Sequence, residues 1–345
     1  MTKPRVSIII VNWNGISHLP TCLDSLDSQT CRDFETILVD NGSHDGSLEL
    51  IRDNYPWVKL IALPVNSGFS GGNNEGLKHA SGEYIVVLNN DTKAEPGWLA
   101  ELVAVADANP AAGQIGCRIC SMHDHDIIDS LGHGVCPDGM TRGRFRLRRW
   151  STLADRFDPV SEMLFGTACV SLYRRTALDQ VGFFDDDMFA FAEDSDLGLR
   201  LRWGGWKALL ATDAVVYHKY SGTGGVFSPF KLYLVERNHY WVAVKNFPLV
   251  MLLMVPFYTA LRYLVQVQVV FAGKGSGAEF AASGSKWQII GALLQGTLDA
   301  LTGLPGMLRK RRVIMKNACI SSREVRALLK QYRMTFHELL DDMGK

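Results

Sequence analysis

The sequence predicts an α/β fold in which a mostly parallel sheet is flanked by helices and is followed by a helical extension. Short apolar, β-branched segments such as residues 6–11 and 84–88 have the length and composition of buried parallel strands. They alternate with segments whose apolar residues recur at helical spacing, and the connections are short. After about residue 230 this alternation ends and long apolar helical segments begin. We therefore expect a sheet domain at 1–245 and a helical extension at 246–345.

The composition is that of an ordinary folded chain, but its charge is unevenly distributed. The 345 residues are 47% hydrophobic and 21% charged, which excludes disordered and collagen-like chains. Lys+Arg and Asp+Glu both total 36, so no net field attracts nucleic acid. Residues 231–345 nevertheless hold 16 basic and 7 acidic side chains, which suits an anionic surface. Seven cysteines and an N-terminus without a secretory signal favour the cytosol.

The predicted elements follow one another regularly in the first quarter of the chain. Strands are expected at 6–11, 34–39, 58–63 and 84–88, with helices between them at about 16–28, 47–55 and 74–80. The Gly- and Asn-rich residues 66–74 are predicted to form a loop. Residues 111–165 are less regular, and after them we expect strands at 165–173 and 214–217 and helices near 175–181 and 193–203.

Polar side chains follow the second and fourth predicted strands, at Asp40 and at Asn89-Asn90-Asp91. Ligands bind beyond the carboxyl ends of parallel strands, so both groups are expected at one crevice. Carboxylate oxygens suit Mg²⁺ or Mn²⁺, so Asp91 is either a metal ligand or the cap of the next helix. The four glycines of residues 66–76 would let backbone N–H groups approach a pyrophosphate. This loop is neither a dinucleotide fingerprint nor a P-loop.

Two further groups stand at the ends of predicted elements. Glu193, Asp194 and Asp196 open a helix, where the helix dipole favours acids and where a carboxylate can also act as a general base. Nearby phenylalanines could raise the pKa of such a carboxylate by excluding water. His218 ends the last predicted strand, so a structural role and a role as metal ligand are both open.

Seven stretches of the chain, taken in order, carry a family resemblance. They are Ser7–Gly15, Val39–Ser47, Asn66–Gly76, Leu88–Thr92, Phe165–Tyr173, Ala192–Trp206 and Ala214–His218. Together they resemble the inverting GT-A glycosyltransferases of glycosyltransferase family 2, especially the bacterial rhamnosyltransferase-like branch, over about residues 5–245. The resemblance implies a GT-A fold, a nucleotide-sugar donor and a divalent metal, Mg²⁺ or Mn²⁺. The branch favours dTDP-rhamnose as donor, with UDP-sugars next.

The resemblance also implies which residues bind the donor and the metal. Asp40 matches the acid that holds the nucleotide base. Asp91 matches the main carboxylate ligand of the metal, and His218 matches the later ligand. Asn89 stands where the family's metal-binding triplet often has an acid, a departure that is frequent in this branch. The other residues expected at the donor are Asn12, Asn14, Asn41, Gly68, Gly72, Asn73 and Asn90.

For catalysis, Asp194 matches the base that deprotonates the acceptor hydroxyl. Glu193 is the rival for that role, and Asp196 is expected to be a structural cap. One displacement at the anomeric carbon would invert its configuration without a covalent sugar–enzyme intermediate. The expected acceptor is a glycan or a polyprenyl-diphosphate-linked glycan in cell-surface polysaccharide synthesis. The alternative is an inactive GT-A scaffold in a glycan-assembly complex, against which the retained acids and His218 argue.

Two patterns allow rival interpretations. Cys117 and Cys120 have the spacing of a zinc site, but the histidines and cysteine that follow, His123, His125, His133 and Cys136, match no standard finger. The arginine-rich residues 142–149 could bind RNA. With zero net charge, a solvated loop or a contact to acceptor phosphates is the better interpretation, and no nucleic-acid partner is expected.

The extension is expected to associate with a membrane without crossing it. Residues 246–261 carry no charge, but Pro248 and Pro256 are poor choices inside a spanning helix. We expect an interfacial helix on the inner face of the cytoplasmic membrane, with the basic cluster 309–312 attracting anionic lipid. The charges expected to flank its apolar surface are Arg262, Lys274 and Lys286. The alternative is a helical subdomain packed on the catalytic domain or, in a homo-oligomer, on a second copy.

Overall fold

The computed structural model describes residues 3–219, 228–271 and 286–341. Its strands are β1 (Val6–Asn12), β2 (Phe34–Asp40), β3 (Lys59–Ala62), β4 (Tyr84–Leu88), β5 (Thr92–Ala94), β6 (Ala112–Ser121), β7 (Ile128–Ser130), β8 (His133–Val135), β9 (Thr141–Gly143), β10 (Val160–Met163), β11 (Val170–Arg174) and β12 (Lys207–His218). Its helices in the first part are α1 (Leu19–Asp27), α2 (Ser47–Asn54), α3 (Gly68–His79), α4 (Trp98–Ala108), α5 (Arg175–Val181) and α6 (Glu193–Trp203). Those that follow are α7 (Pro229–Asn246), α8 (Leu249–Leu252), α9 (Val255–Phe271), α10 (Lys286–Thr302), α11 (Leu304–Lys316), α12 (Ser322–Gln331) and α13 (Phe336–Asp341).

Ten of the described strands form one sheet, in the order β10-β12-β6-β11-β4-β1-β2-β3, with β5 beside β12 and β7 beside β6. The strands β4, β1, β2 and β3 are parallel, as the strand–helix alternation predicts. However, β11 is antiparallel to β4 and β6, and β12 is antiparallel to β5 and β10. The sheet is therefore mixed rather than mostly parallel, because β11 is reached through an irregular segment instead of a crossover helix.

Both faces of the sheet are covered, as the continuous apolar runs of β1 and β4 require. Ile8 and Ile10 of β1 belong to the core on the side of α1 and α4. Ile9 points to the opposite face, where it packs with residues of α5 and α6. The carboxyl ends of β1, β2 and β4 consequently open at one edge of a rigid layer.

The predicted loop at 66–74 is wrong, because α3 begins at Gly68 and runs through these residues. Its glycines serve packing against the sheet. A Cβ atom on Gly72 would lie 2.8 Å from Val11 Cγ1, and one on Gly76 would lie 2.5 Å from Ile9 Cγ2. Glycine lowers helix propensity but allows this close approach, so tertiary contact overrides the local preference.

Other boundaries also differ from the sequence-based prediction. The irregular stretch 111–165 contains β6 to β10, and the strand predicted at 165–173 is confined to Val170–Arg174. The strand predicted at 214–217 is the end of the longer β12. Here β6 and β12 pair with register shifts, which interrupt any regular period in the sequence.

The helices after residue 229 pack on the first part of the chain through a shared apolar core. Trp241 and Phe247, which lie on and just after α7, are buried together with Phe165 and Trp203. Met307 of α11 and Val325 and Leu329 of α12 complete this core. The division at residue 245 stays a prediction, and the helices on either side of it share one interior.

Arg262 of α9 is fully buried, which corrects the expectation that it flanks an exposed apolar surface. Its guanidinium donates to Asp138 at 2.6 Å and to Glu236 at 3.0 Å. Burial opposes its charge, but the two carboxylates outweigh burial and raise the pKa of Arg262. Lys274 lies outside the described residues, as does the side chain of Lys286. No helix within the described ranges has the length and apolarity to cross a membrane.

Removing Arg262 should destabilise the protein strongly. R262A would leave Glu236 and Asp138 buried without their cation, a loss of about 3–5 kcal/mol in the free energy of unfolding. R309A, which removes an exposed arginine of α11, is the matched control and should change this free energy by less than about 0.5 kcal/mol. Urea unfolding followed by circular dichroism measures both. Equal stabilities for the two variants would contradict the structural role of the buried cluster.

Candidate active site

A cavity of about 830 Å³ lies at the carboxyl edge of the sheet. The predicted site residues that line it are Asn41, Gly68, Asn89, Asn90, Asp91, Glu193, Asp194 and His218. They come from five separate parts of the chain, which the fold brings together. Asn12, Asn14, Asp40, Gly72 and Asn73 are not part of the cavity wall.

A buried chain of hydrogen bonds leads from Asn90, in the cavity wall, through Asn12 to Asp40 behind it. Asn90 Nδ2 donates to Asn12 Oδ1 at 2.7 Å, and Asn12 Nδ2 donates to Asp40 Oδ2 at 3.0 Å. The other Asp40 oxygen accepts from the Ser43 backbone N–H at 2.9 Å. These bonds lock the carboxyl ends of β1, β2 and β4 to one another. The expected contact of Asp40 with a nucleotide base stays a prediction.

The remaining donor-side candidates divide into two groups. Asn41 holds the start of α3, donating to Gly68 O at 2.9 Å and accepting from the Ser67 N–H at 2.9 Å. Asn14 caps the neighbouring turn by accepting from the His44 N–H at 2.8 Å. By contrast, Gly72 and Asn73 are buried in α3 and lie apart from the cavity. Their assignment to donor binding stays a prediction. The close contact of Gly72 with Val11 gives this glycine a role in packing.

Asp91 and His218, which both line the cavity, are in contact. His218 Nε2 is 3.2 Å from Asp91 Oδ1. The other ring nitrogen, Nδ1, is 2.7 Å from Oδ2 of Asp129 on β7. Burial tends to lower the pKa of His218, but the Cys169 thiol and the hydrogen bonds to Asp129 and Asp91 outweigh it and raise that pKa. A carboxylate on Nδ1 fixes the ring so that Nε2 faces Asp91.

The residues at this point fit a hard divalent cation. Besides the carboxylate and the imidazole, the buried Oδ1 of Asn89 accepts no hydrogen bond from the described part of the chain. Oxygen ligands of this kind suit Mg²⁺ and Mn²⁺, which take few ligands from protein and others from phosphate. Among the described residues, no three His, Cys, Asp or Glu side chains are already arranged around a common point as ligands of a metal ion. The same finding leaves the zinc alternative around Cys117 and Cys120 without support.

Glu193 and Asp194 open α6 at the far wall of the cavity. Asp194 is held as a hydrogen-bond acceptor by the Ser195 N–H at 2.7 Å and the Ala168 N–H at 3.2 Å. Glu193 Oε2 has no partner among the described residues. Burial, with the adjacent Asp194, raises the pKa of Glu193 to about 8. Glu193 therefore carries a proton at neutral pH. Asp194, whose carboxylate is held by two backbone N–H groups, is the better proton acceptor.

Asp196 is a buried partner of cations and makes no contact with the cavity. Its Oδ2 is 2.7 Å from Lys245 Nζ and 2.8 Å from Arg200 Nε. Burial alone would raise its pKa, but Lys245 and Arg200 together hold the pKa of Asp196 well below the usual range. The expectation of a helix cap is thus corrected to a buried ion pair.

The segment before α6 is strained, and α7 supports it. Phe189, Phe191 and Ala192 all have positive φ, at 62°, 69° and 65°. Each such residue costs on the order of 1 kcal/mol, so the surroundings must hold it. Asn238 of α7 does so by donating to the carbonyls of Met188, Ala190 and Phe191 at 2.7–2.9 Å.

Three cavity residues have no individual role in the sequence-based prediction. Trp13 is 42% exposed on the wall beside Val11. Asp129 contacts His218, and His133 lies 3.6 Å from Asp194. His133 appears in the sequence only as part of the zinc alternative, and Asp129 lies in the irregular stretch. Neither has a neighbouring motif that could have identified it.

The arginines of residues 142–149 contact several different partners rather than forming one basic surface. Arg142 donates to Leu339 O, and Arg146 is 3.4 Å from Asp129. Arg144 lies over the rings of Phe145 and Tyr332, and Arg149 pairs with Asp126 at 3.1 Å. Arg142 and Arg146 line the cavity. Their location gives no support to an RNA-binding role.

Comparisons with known proteins identify the family. A model for glycosyl transferase family 2 matches residues 7–182. An N-acetylglucosaminyl-diphospho-decaprenol L-rhamnosyltransferase of Mycobacterium tuberculosis is 32% identical over 238 residues, which is 63% of this chain and 77% of the relative. This chain belongs to glycosyl transferase family 2. An O-antigen biosynthesis protein, RfbC of Myxococcus xanthus, is 29% identical over 234 residues, or 64% of this chain, which covers only 18% of that protein.

Solved structures show the same GT-A fold. GalNAc-T7 with UDP, GalNAc and Mn²⁺ has a TM-score of 0.57 at 17% identity, covering 71% of this chain and 48% of that chain. The mannosyltransferase PcManGT of Pyrobaculum calidifontis, with GDP-Man and Mn²⁺, has a TM-score of 0.53 at 19% identity, covering 92% and 86%. The family resemblance, the GT-A fold and the class of enzyme, a glycosyltransferase, are confirmed.

The raised pKa of Glu193 predicts a pH-dependent stability. A folded-state pKa of about 8 lies above the unfolded value near 4.5, so Glu193 stabilises the fold at low pH. That contribution, on the order of a few kcal/mol, is lost as pH rises toward 8. E193Q has no carboxyl group at this position to lose a proton. The Tm of E193Q minus the Tm of the parent protein should therefore increase from pH 5 to pH 8. D213N, which changes an exposed carboxylate, is the control. A Tm difference that stays constant with pH would contradict the buried, protonated Glu193.

Proposed function

We propose that this glycosyltransferase moves a sugar from a nucleotide-sugar donor to a hydroxyl of a lipid-linked glycan, with inversion at the anomeric carbon. The observation that carries the proposal is the presence of two different groups in one cavity. Asp91 and His218, 3.2 Å apart, form the first group, and the Glu193–Asp194 pair forms the second. A donor diphosphate at the first group and an acceptor hydroxyl at the second would share this cavity.

Asp194 supplies the base in this proposal. It takes the proton of the acceptor hydroxyl as the oxygen attacks the anomeric carbon, and the bond to the diphosphate breaks on the opposite side. Its two backbone N–H contacts hold the carboxylate in position. The partly unpaired Glu193 keeps a proton at neutral pH, which spares the site a second negative charge beside the first.

Asp91, His218 and Asn89 would hold Mg²⁺ or Mn²⁺ on the donor side. When bound, the cation neutralises the charge that grows on the departing diphosphate. Two structures of the same fold were solved with Mn²⁺, one with UDP and GalNAc and the other with GDP-Man, which supports a cation on the donor side. Asp129 holds the His218 ring from behind.

The donor sugar and acceptor are proposed from the sequence resemblance and the relatives. The rhamnosyltransferase-like branch favours dTDP-rhamnose, and the M. tuberculosis relative is named for a rhamnosyl transfer to a diphospho-decaprenol-linked sugar. Arg142, Arg146 and Lys231 line the cavity and bring positive charge to the phosphates that such an acceptor carries.

We also propose that the extension rests on the inner face of the cytoplasmic membrane. One face of α10 exposes Trp287, Ile290, Leu294, Leu298 and Leu301, which recur at helical spacing. The exposed face of α11 combines Leu308 and Val313 with Arg309, Arg312 and Lys316. A helix with apolar and basic side chains on its exposed face suits an anionic bilayer surface. The other two members of the basic cluster are engaged by protein, since Lys310 pairs with Asp185 and Arg311 donates to Val244 O.

Replacing the base should stop transfer and spare donor binding. D194N keeps the shape and removes the proton acceptor, so kcat should fall by about 10²–10⁴-fold while nucleotide affinity stays the same. Product formation with dTDP-rhamnose and a short-chain N-acetylglucosaminyl-diphospho-lipid measures transfer, and calorimetry measures affinity. E193Q is the matched variant and should lose less activity. If D194N is active and E193Q is not, the base is Glu193.

Removing Asp91 should abolish the metal dependence of donor binding. In the parent protein, dTDP affinity should be higher with Mn²⁺ than with EDTA, because Asp91 would hold a cation that offsets the charge of the diphosphate. D91A should bind dTDP equally weakly in both conditions and should be inactive. Calorimetry measures the dTDP affinity of both proteins, each with Mn²⁺ and with EDTA. A D91A protein whose affinity still rises with Mn²⁺ would rule this role out.

Membrane binding should depend on the exposed charges of α11. The parent protein should float with vesicles of phosphatidylglycerol and phosphatidylcholine, and less with phosphatidylcholine alone. R309E/R312E should weaken binding at least about tenfold, at about 1 kcal/mol per charge. R323E/K330E, with the same change of charge on α12, should bind like the parent. A parent protein that stays unbound and runs as a dimer in gel filtration would favour covering of α10 by a second copy.

A further inference from the structure

His133 stands next to the proposed base and has a defined orientation. It is the first residue of β8, and its backbone N–H donates to Phe165 O at 2.9 Å. Its ring packs edge-to-face on Phe165, with the ring centres 5.5 Å apart. Thr141 Oγ1 on the paired strand β9 is 2.6 Å from Ser195 Oγ on α6. The hairpin that carries His133 is therefore tied to the helix that carries Asp194.

The two ring nitrogens of His133 have different surroundings. Nδ1 is buried and has no hydrogen-bond partner in the described part of the chain, and it lies 3.6 Å from Asp194 Oδ2. A buried polar atom without a partner is costly, and a shift of less than 1 Å would give Nδ1–H a carboxylate acceptor. An anionic acceptor on Nδ1 places the proton of the neutral ring on that nitrogen. Nε2 then carries the free lone pair.

The rest of the ring lines the cavity, and the whole side chain is 13% exposed. A hydroxyl that reaches Asp194 must enter through this space. We infer that His133 is an acceptor-binding residue, whose Nε2 accepts a hydrogen bond from a hydroxyl of the incoming sugar while Nδ1–H is held by Asp194. The inference rests on the proposed transfer to a hydroxyl acceptor and adds a residue that determines how the acceptor is held.

A second cavity histidine, His239 on α7, lacks this arrangement. Its Nε2 is also without a partner among the described residues, but its Nδ1 lies 3.3 Å from the Val235 carbonyl of its own helix. The side chain is only 1% exposed. His239 is therefore enclosed by protein, whereas His133 combines a carboxylate on one side with open space on the other.

The hydrogen bond that we assign to Nε2 belongs to the neutral ring, because protonation turns Nε2 from an acceptor into a donor. The charged and titratable side chains that line the cavity with His133 are Asp91, Asp129, Arg142, Arg146, Glu193, Asp194, His218, Lys231 and His239.

The test compares H133A and H133N with the parent, using dTDP-rhamnose and a short-chain N-acetylglucosaminyl-diphospho-lipid. Both variants should lower kcat/KM for the acceptor about 10-fold, the effect of one lost hydrogen bond, and should bind dTDP with Mn²⁺ as the parent does. H125A, which removes an exposed histidine stacked on Tyr217, is the matched control.

A parent-like kcat/KM for the acceptor in H133A would overturn the assignment. A parallel loss of dTDP affinity would overturn it as well, since it would indicate a general structural role. If H133A does not fold, H133N gives the same readouts with a side chain that still reaches Asp194. D194N separates the two hypotheses. If D194N is active, the proposed base is wrong, but if D194N is inactive and H133A is normal, only the role of His133 fails.

Discussion

The active site depends on a buried group of charges that joins α6 to α7. Lys245 Nζ lies 2.7 Å from Asp196 and 2.6 Å from Asp185, and Asn246 Nδ2 donates to the other Asp196 oxygen at 2.8 Å. All these atoms are removed from water, so none can leave without stranding its partners. Asp196 is two residues from Asp194, and Asp185 begins the segment that leads into α6. This cluster therefore fixes both sides of the strained turn.

The strain of that turn and the chemistry of the site have a common cause. Positive φ at Phe191 and Ala192 turns the chain sharply, so that Glu193 and Asp194 enter the cavity at the start of a helix. The helix dipole favours their charge, while burial opposes it. As a result, burial and the adjacent Asp194 raise the pKa of Glu193, which keeps its proton at neutral pH. Asn238 and Lys245, both from α7, keep this arrangement in place.

The helices after residue 229 thus contribute to the active site as well as to the surface. On their inner side, α7 supports the turn before α6, and Arg262 of α9 links Glu236 of α7 to Asp138 beside the β8–β9 hairpin. On their outer side, α10 and α11 expose apolar and basic residues. A surface that binds lipid and a site that receives a lipid-linked sugar would then belong to one packed unit. The lipid and the sugar of such an acceptor would then contact the same packed unit.

The sequence by itself determined the βα alternation, the parallel order of β1 to β4 and the positions of Asp91, Glu193, Asp194 and His218 at the ends of elements. These follow from local periodicity and from residues adjacent in the chain, so they can be read without coordinates. Only the tertiary structure decided that Asn66–Gly76 is mostly helix, because the reason is the contact of Gly72 and Gly76 with β1.

The contacts of Asp129 and His133 also could not be predicted from the sequence, because their partners are 89 and 61 residues away along the chain. The same is true of Arg262, which looks like an interfacial charge in sequence and is a buried ion-pair partner in the fold. Periodicity records which side of an element faces the interior. Periodicity carries no information about which distant side chains contact that element in the interior. Those contacts set the protonation of Glu193, the orientation of His218 and the environment of Asp194.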